Sequence, residues 1–348
     1  MLIGQLPSRA VNVATMQTDR HSTSKTLIRK TWILSLLFSL IPAVCLGQTP
    51  DPGEAIRVDS NLVDLQVSVI GLNRTHPLPA LEQRNFLVIE DGQPQEISFF
   101  AAADFPFDLV LLLDLSGSTR DKLKLIRSSA KRFVDATRPT DRVSVVTFTD
   151  MLLVACPLTL DRKLLKDSID DIEKPRGGTN FWDSLRYVLA TLLAPGKAVR
   201  RSAVVVMTDG VDNALPDVVG DGSRTTFEEL LSIVRSSETL VFPIYLDTEN
   251  EESQRHRTPR SAFVLARAQL AQLAEACGSR THRADKIKDL DDVYEQVIAD
   301  LGRVYSIGYR PSNTSRDGRW RSVTVRILDR SDLRARSKPG YYASSQPN

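Results

Sequence analysis

Leu109-Val110-Leu111-Leu112-Leu113-Asp114-Leu115-Ser116-Gly117-Ser118 is the stretch that decides the fold. Five consecutive aliphatic residues show no polar alternation. A strand built from them needs apolar cover on both faces, the condition of a central strand in a parallel sheet flanked by helices. The acid, serines and glycine that follow place polar groups where that strand ends. The same alternation of strand and helix continues downstream. A helix is expected from about Lys122 to Ala136, where Leu125, Ile126, Ala130, Phe133 and Val134 recur near helical spacing. Val143 to Phe148 and Leu152 to Leu158 read as strands joined by a tight turn, hence antiparallel. Helical patterns at Arg162 to Ile172 and Trp182 to Leu193 precede a buried strand at Ala203 to Met207. A helix at Phe227 to Arg235, a strand at Leu240 to Leu246 and a helix at Ala262 to Cys277 follow, the last stopped by Gly278. A short strand at Thr281 to Arg283 and a helix at Asp291 to Leu301 complete the series. This pattern predicts an α/β fold with a doubly wound, mostly parallel, Rossmann-like sheet over residues 107–301. The polar stretch from Thr248 to Pro259 is expected to be an exposed loop.

The regions on either side read as strands. In residues 56–103, Val63, Leu65, Val67 and Val69 alternate with Asp64, Gln66 and Ser68, the period of a half-buried strand. Phe86 to Ile89 and Gln95 to Phe99 flank Glu90-Asp91-Gly92-Gln93, whose Asp-Gly step signals a hairpin. In residues 304–343, Val323, Val325 and Ile327 alternate with Ser322, Thr324 and Arg326. Two or three strands alone are marginal in water. The two regions are therefore expected to combine into one small β-sandwich-like module, with Val63, Val67, Val323 and Ile327 in a shared core.

In an open α/β sheet, ligands bind at the carboxyl ends of the strands. After the first buried strand come Asp114, Ser116 and Ser118. After the Ala203 to Met207 strand comes Thr208-Asp209-Gly210. Between them, opening a helix, comes Gly177-Gly178-Thr179-Asn180. Two carboxylates and three hydroxyls make an all-oxygen donor set, suited to a hard cation, Mg²⁺ or else Mn²⁺ or Ca²⁺, and unlike the nitrogen and sulfur donors zinc prefers. Alternation at 114, 116 and 118 would point alternate side chains one way, Gly117 would permit the tight turn, and Gly177-Gly178 would let backbone approach closely. Two carboxylates roughly neutralise a dication, and an open coordination position would favour an incoming carboxylate. The competing reading, in which Asp114, Ser116 and Ser118 merely cap a helix, is weakened by three segments arriving in order. Asp183, Asp212 and Asn213 lie near the motifs and read as surface or supporting residues.

The combination Asp-x-Ser-x-Ser, a threonine after glycines, and Thr-Asp-Gly after a strand resembles the metal ion-dependent adhesion site of von Willebrand factor type A domains. The resemblance spans Phe107 to Leu301. It implies direct cation ligation by Ser116, Ser118 and Thr179, action largely through water by Asp114 and Asp209, and a protein partner that supplies an acidic side chain. The flanks, through Phe86-x-Val88-x-Glu90-Asp91-Gly92 and Gly340-Tyr341-Tyr342, resemble more loosely the bacterial von Willebrand factor A-related family, which carries short β segments on both sides.

The chain has 348 residues, 42% hydrophobic and 25% charged, with net charge +2. These values describe a folded chain of about two domains. Arg20, Lys25, Arg29 and Lys30 precede an apolar run from Trp32 to Leu46, too short for a comfortable membrane span of about 20 residues. It fits a secretory signal over residues 1–47 cut before Gln48, with an uncleaved anchor as the alternative. Contact with the membrane would then be transient, and the chain secreted, periplasmic or part of the cell envelope. Residues 1–47 hold five basic and one acidic residue. Without them the net charge is near −2, which excludes a global case for nucleic-acid binding. Cys156 and Cys277 remain, expected as buried free thiols with a disulfide as the alternative. From Arg303 onward, ten basic and three acidic residues read as the solvated face of strands, or else as an anion-binding surface. Catalysis would need a general base or nucleophile near the metal. His21, His76, His256 and His282 lie outside the motifs, and no Gly-x-Ser-x-Gly elbow or Walker loop is present. The chain is thus expected to bind rather than catalyse. A structural envelope protein with a dispensable metal site and a metal-assisted hydrolase stand as alternatives.

Overall fold

Strand formation begins at β1 (Val63–Gly71), followed by β2 (Phe86–Glu90), β3 (Gln93–Gln95) and β4 (Ile97–Ala101). The central region supplies β5 (Phe107–Asp114), α1 (Leu123–Ala136), β6 (Arg142–Phe148), β7 (Leu152–Thr159), α2 (Arg162–Asp170) and α3 (Phe181–Tyr187). It continues with β8 (Arg201–Thr208), α4 (Phe227–Ser236), β9 (Leu240–Leu246), α5 (Glu249–Gln254), α6 (Arg260–Cys277), β10 (His282–Ala284) and α7 (Leu290–Leu301). The last strands are β11 (Val304–Tyr309), β12 (Trp320–Ile327), β13 (Leu333–Arg336) and β14 (Gly340–Tyr342). These elements come from a computed structural model that describes residues 62–71, 80–174, 177–194, 200–254 and 258–345. The apolar run Trp32 to Leu46 and the cut before Gln48 lie outside the described residues.

The central sheet has the order β10-β9-β8-β5-β6-β7. Every neighbouring pair is parallel except β6 and β7, which the tight turn at residues 149–151 makes antiparallel. The sheet is the mostly parallel, doubly wound arrangement expected. β5 lies in its middle and is buried throughout. Leu109, Leu111 and Leu113 join one core with Phe133 and Tyr294, whereas Val110 and Leu112 join a second with Phe181, Leu230 and Phe263. Two cores for one strand explain the absence of polar alternation in its sequence. Cys156 belongs to the first core and Cys277 to the second, and both are free thiols. Among the described residues, no helix is long and apolar enough to cross a membrane.

The flanking strands form two antiparallel four-stranded sheets, β13-β1-β11-β4 and β14-β12-β2-β3. Their inner faces share one core that includes Val67, Phe86, Ile307 and Val323, with Val63 and Ile327 packed against it. Asp91 and Gly92 have φ of 47° and 83°, the double positive φ of a tight hairpin turn. The hairpin so formed is β2–β3, and its second strand is only three residues long. The expected continuous strand from Gln95 to Phe99 is corrected: the chain breaks pairing at Glu96, and β4 crosses to the other sheet to pair with β11. A hairpin partner and a neighbour in the opposite sheet have the same period, so sequence pattern does not distinguish them. β12 alternates exposed and buried residues as expected. Arg321, however, turns inward, is buried and pairs with Asp317 at 2.9 Å.

Arg201, at the start of β8, joins the flanking module to the central sheet. Its guanidinium is buried and donates to the carbonyls of Ala101 (3.1 Å) and Ala102 (2.6 Å) and to Ser306 Oγ (2.9 Å), while lying over the rings of Phe105 and Phe107. Burial, and next the Arg138 charge, push its pKa down to about 10, so it remains charged at neutral pH. Arg201→Ala leaves these buried acceptors without a donor and is expected to cost about 2–4 kcal/mol. Arg201→Lys should recover only part of this, because a single ammonium cannot span the same acceptors. Urea unfolding measures both; an alanine variant as stable as the parent would show that the clamp contributes nothing.

Candidate metal centre

The site is assembled by strand register. β5 and β8 are parallel neighbours in which Leu113 faces Met207, so Asp114 lies beside Thr208 at their carboxyl ends. Thr208 Oγ1 donates to Asp114 Oδ2 at 2.6 Å. β9 follows on the far side of β8, with Tyr245 facing Thr208. Three residues beyond Tyr245, Thr248 Oγ1 donates to Asp209 Oδ2 at 2.7 Å. Backbone amides complete the cradle: Ser116 N–H donates to Asp114 Oδ1 (2.9 Å) and Val211 N–H to Asp209 Oδ1 (3.1 Å).

Ser116 and Ser118 reach the site by a different route from the one expected. The strand ends at Asp114 and the chain enters a 3-10 turn over Gly117–Lys122, and this turn brings Ser116 Oγ within 3.2 Å of Ser118 Oγ. Gly117 has no positive φ, and a Cβ there would meet only the Gly177 carbonyl at 3.8 Å. The turn therefore does not need glycine at 117. The Ser116 hydroxyl makes no capping hydrogen bond. Thr119 Oγ1 instead donates to the carbonyls of Asp114 and Ser116, which leaves the two serine hydroxyls facing the site.

Thr179 is positioned by Asn213, whose amide N–H donates to the Thr179 carbonyl (2.9 Å) and whose Oδ1 accepts from Thr179 N–H (3.3 Å). Gly177 has φ of 85°, and a Cβ there would lie 2.7 Å from Asp150 Oδ1; one at Gly178 would lie 2.4 Å from Asn213 Nδ2. Here glycine is required, as expected. Asp212, fully buried, accepts from the N–H groups of Trp182, Ala214 and Ser223 and from Ser223 Oγ. It ties the loop after β8 to the start of α3. Asp183 accepts from the N–H groups of Arg224 and Thr225. Both are supports, as read from the sequence.

All five predicted side chains thus converge on one edge of the sheet. Four are buried and Ser118 is half-buried. Ser116, Ser118, Thr179 and Asp209 border a cavity of about 420 Å³ together with Val211, Asn213, Val218, Val219 and Glu252, and Asp114 lies beneath it. Among the described residues, neither Asp114 nor Asp209 is in an ion pair. Burial pushes the Asp114 pKa up to about 7, with the Asp209 charge adding to the shift, and burial raises Asp209 in the same direction. Two buried carboxylates that pair with no cationic side chain among the described residues, beside hydroxyls that face them, form a donor set that a hard dication satisfies in charge and in chemistry.

Sequence reading missed Thr208 and Thr248, whose hydroxyls hold the two carboxylates. Thr208 adjoins a predicted ligand and was legible as a neighbour. Thr248 carried no signal, because its contact with Asp209 depends on the order of strands. The expected exposed loop over Thr248 to Pro259 is corrected: Thr248 and Glu252 are buried and residues 249–254 are helical. The helix folds back over the site, which a polar composition does not reveal.

The central region is a von Willebrand factor type A domain. The model of that family, described as von Willebrand factor type A domain, matches residues 108–263. Domains of this class are typically protein-interaction modules rather than enzymes. A curated UPF0353 protein of Nocardia farcinica (strain IFM 10152) is 23% identical over 211 residues, covering 56% of this chain and 63% of the relative. The chain therefore spans less than two thirds of that relative's length. Similar solved structures include the vWF domain of the type V pili tip protein Mfa5 from Porphyromonas gingivalis, with 13% identity, TM-score 0.43, and coverage of 56% of this chain and 94% of that one. Another is proximal thread matrix protein 1 from the mussel byssus with zinc occupied MIDAS motif, with 20% identity, TM-score 0.44, and coverage of 60% and 48%.

Proposed function

We propose that this chain is an extracytoplasmic, metal-dependent protein-binding module. It holds one Mg²⁺, with Mn²⁺ or Ca²⁺ as substitutes, on Asp114, Ser116, Ser118, Thr179 and Asp209, and engages an acidic side chain of a partner protein. The observation that carries the reading is the pair of buried carboxylates, in no ion pair among the described residues, set among hydroxyls at the carboxyl edge of the sheet. Ser116, Ser118 and Thr179 bring neutral oxygens, so a bound dication keeps enough charge to attract a carboxylate. Asp114 and Asp209 balance that charge, and Thr208 and Thr248 orient them. Val219, exposed at the cavity rim, offers apolar footing beside the charged contact. Residues 1–47 act as the export signal in this reading, and residues 304–343 pair with 56–103 to support the domain.

Natively expressed protein isolated from the envelope or external fraction is expected to begin near Gln48 and to capture a partner in Mg²⁺. Capture should fail with chelator and with the Asp209→Ala variant. Partner capture that persists under both conditions would exclude a metal-bridged contact, and an intact Met1 in a cytoplasmic fraction would exclude export.

A further inference from the structure

A cavity of about 300 Å³ opens where the flanking module meets the turn between α4 and β9. Its volume lies at the lower end of the roughly 300–1,000 Å³ of small-molecule sites. The residues that line it are distinct from those around the metal centre. Three charged side chains border it from three separate segments: Asp64 of β1, Glu238 between α4 and β9, and Lys338 between β13 and β14. A fourth, Arg316, is engaged in a contact of its own. Glu238 and Asp64 act on the Lys338 charge through space, yet among the described residues Lys338 is in no ion pair. Asp64 Oδ1 is buried and has no hydrogen-bond partner among those residues. Burial raises the Asp64 pKa, with the Glu238 charge adding to the shift, and burial lowers that of Lys338. Each charge has lost water without gaining a direct partner, a costly state that a ligand of opposite charge relieves.

Backbone packing keeps these groups in place. The Glu238 carbonyl accepts from Gln66 Nε2. Ser337, next to Lys338, lies so close to Gly278 that a Cβ there would be 2.4 Å from the Ser337 carbonyl carbon. Acid and amine are therefore seated by contacts between the module and the central domain, and not by attraction to each other. Pro311 and Tyr342 give the cavity an apolar wall, the Tyr342 ring set edge-on to Trp320 at 5.0 Å between centroids.

We propose that this cavity binds a small zwitterion of the amino-acid or short-peptide class, with its carboxylate on Lys338, its ammonium on Asp64 and an apolar side chain against Pro311 and Tyr342. A lone anion would satisfy Lys338 but meet Asp64 and Glu238, and a lone cation would satisfy the acids but meet Lys338. A ligand that carries both charges compensates both ends. Glu238, whose charge also reaches Asp64, strengthens the pull on the ammonium.

Calorimetry on the full chain tests this with leucine, leucyl-leucine, isocaproate (leucine without its amine) and isoamylamine (leucine without its carboxylate). Leucine or leucyl-leucine is expected to bind the parent, the tighter of the two fixing whether the ligand is a free amino acid or a peptide. Isocaproate and isoamylamine should each bind at least about tenfold more weakly. Lys338→Met is expected to weaken the zwitterion and isocaproate about tenfold and to spare isoamylamine, whereas Asp64→Asn weakens the zwitterion and isoamylamine and spares isocaproate. Parent binding of either single-charge probe as tight as that of both zwitterions would overturn the proposal. Equal loss of every probe in both variants, the sign of a distorted cavity, would overturn it too. Failure of the parent to bind either zwitterion overturns it without any variant.

Discussion

Calorimetry is expected to show one Mg²⁺ or Mn²⁺ per chain in the parent and at least about a 100-fold loss of affinity in Asp114→Ala and in Asp209→Ala. Each substitution removes half of the charge that balances the dication and also orphans a threonine hydroxyl, that of Thr208 or Thr248, that now has a carboxylate acceptor. The same carboxylates make stability depend on pH. In the cation-free chain Asp114 sits at about 7, raised by burial and then by Asp209, while an unfolded Asp titrates near about 4. Between those values the folded state keeps a proton that the unfolded chain has released. Stability is therefore fully present below about pH 4 and falls as pH rises through 7, by on the order of 4 kcal/mol at most. Saturating Mg²⁺ should restore it, because the cation binds the folded state alone and supplies the missing counter-charge. The Mg²⁺-induced rise in Tm is thus expected to be largest above pH 7 and small below pH 5. Asp114→Asn should flatten the pH profile and abolish the Mg²⁺ effect together. Unchanged affinity in both alanine variants would reject the site.

Removal of Val304 to Asn348 should unfold the N-terminal strands while leaving the central sheet largely intact. β11 lies between β1 and β4, and β12 lies between β14 and β2. The deletion takes the middle strand from each sheet of the flanking module. It also removes Tyr305, Ile307, Tyr309, Val323 and Val325 from the shared core. β1 loses both of its partners, and an isolated strand or a lone hairpin has no stability of its own in water. Buried Glu90, which accepts from Tyr309 at 2.7 Å and Tyr341 at 2.9 Å, would lose both donors. The central sheet keeps every strand pairing it has. Hydrogen exchange on the truncated chain is expected to show protection lost across Val63 to Val69 and Ile97 to Phe99 and retained across Leu109 to Leu113. Undiminished protection of Val63 to Val69 would mean that the two flanks are independent and that the division into one interrupted module is wrong.

Much of this was legible because it depends on local pattern. The run Leu109 to Leu113 is uniformly apolar because both faces of β5 are buried, and that condition is written in five adjacent residues. The helix over Leu123–Ala136 and its neighbours follow from the 3.6-residue recurrence of apolar side chains, and the positive-φ turn at Asp91-Gly92 from residue type. Once strand, turn and helix are placed, Asp114, Thr179 and Asp209 must gather at the carboxyl edge, because parallel strands all end on one side.

Tertiary structure decided what no local pattern encodes. Thr208 and Thr248 became partners of Asp114 and Asp209 only because β5, β8 and β9 are adjacent in that order and register. Gly117 was dispensable because a 3-10 turn, rather than continued strand alternation, carries the serines inward. β4 left its expected hairpin for the opposite sheet, since both destinations share the two-residue period. Thr248 and Glu252, within a polar segment, were buried because the helix over residues 249–254 packs against the site, and Thr248 there meets Asp209, 39 residues away in the chain. Period and composition determine what an element is; the neighbours it meets are set by long-range packing, which the sequence expresses only through the whole fold.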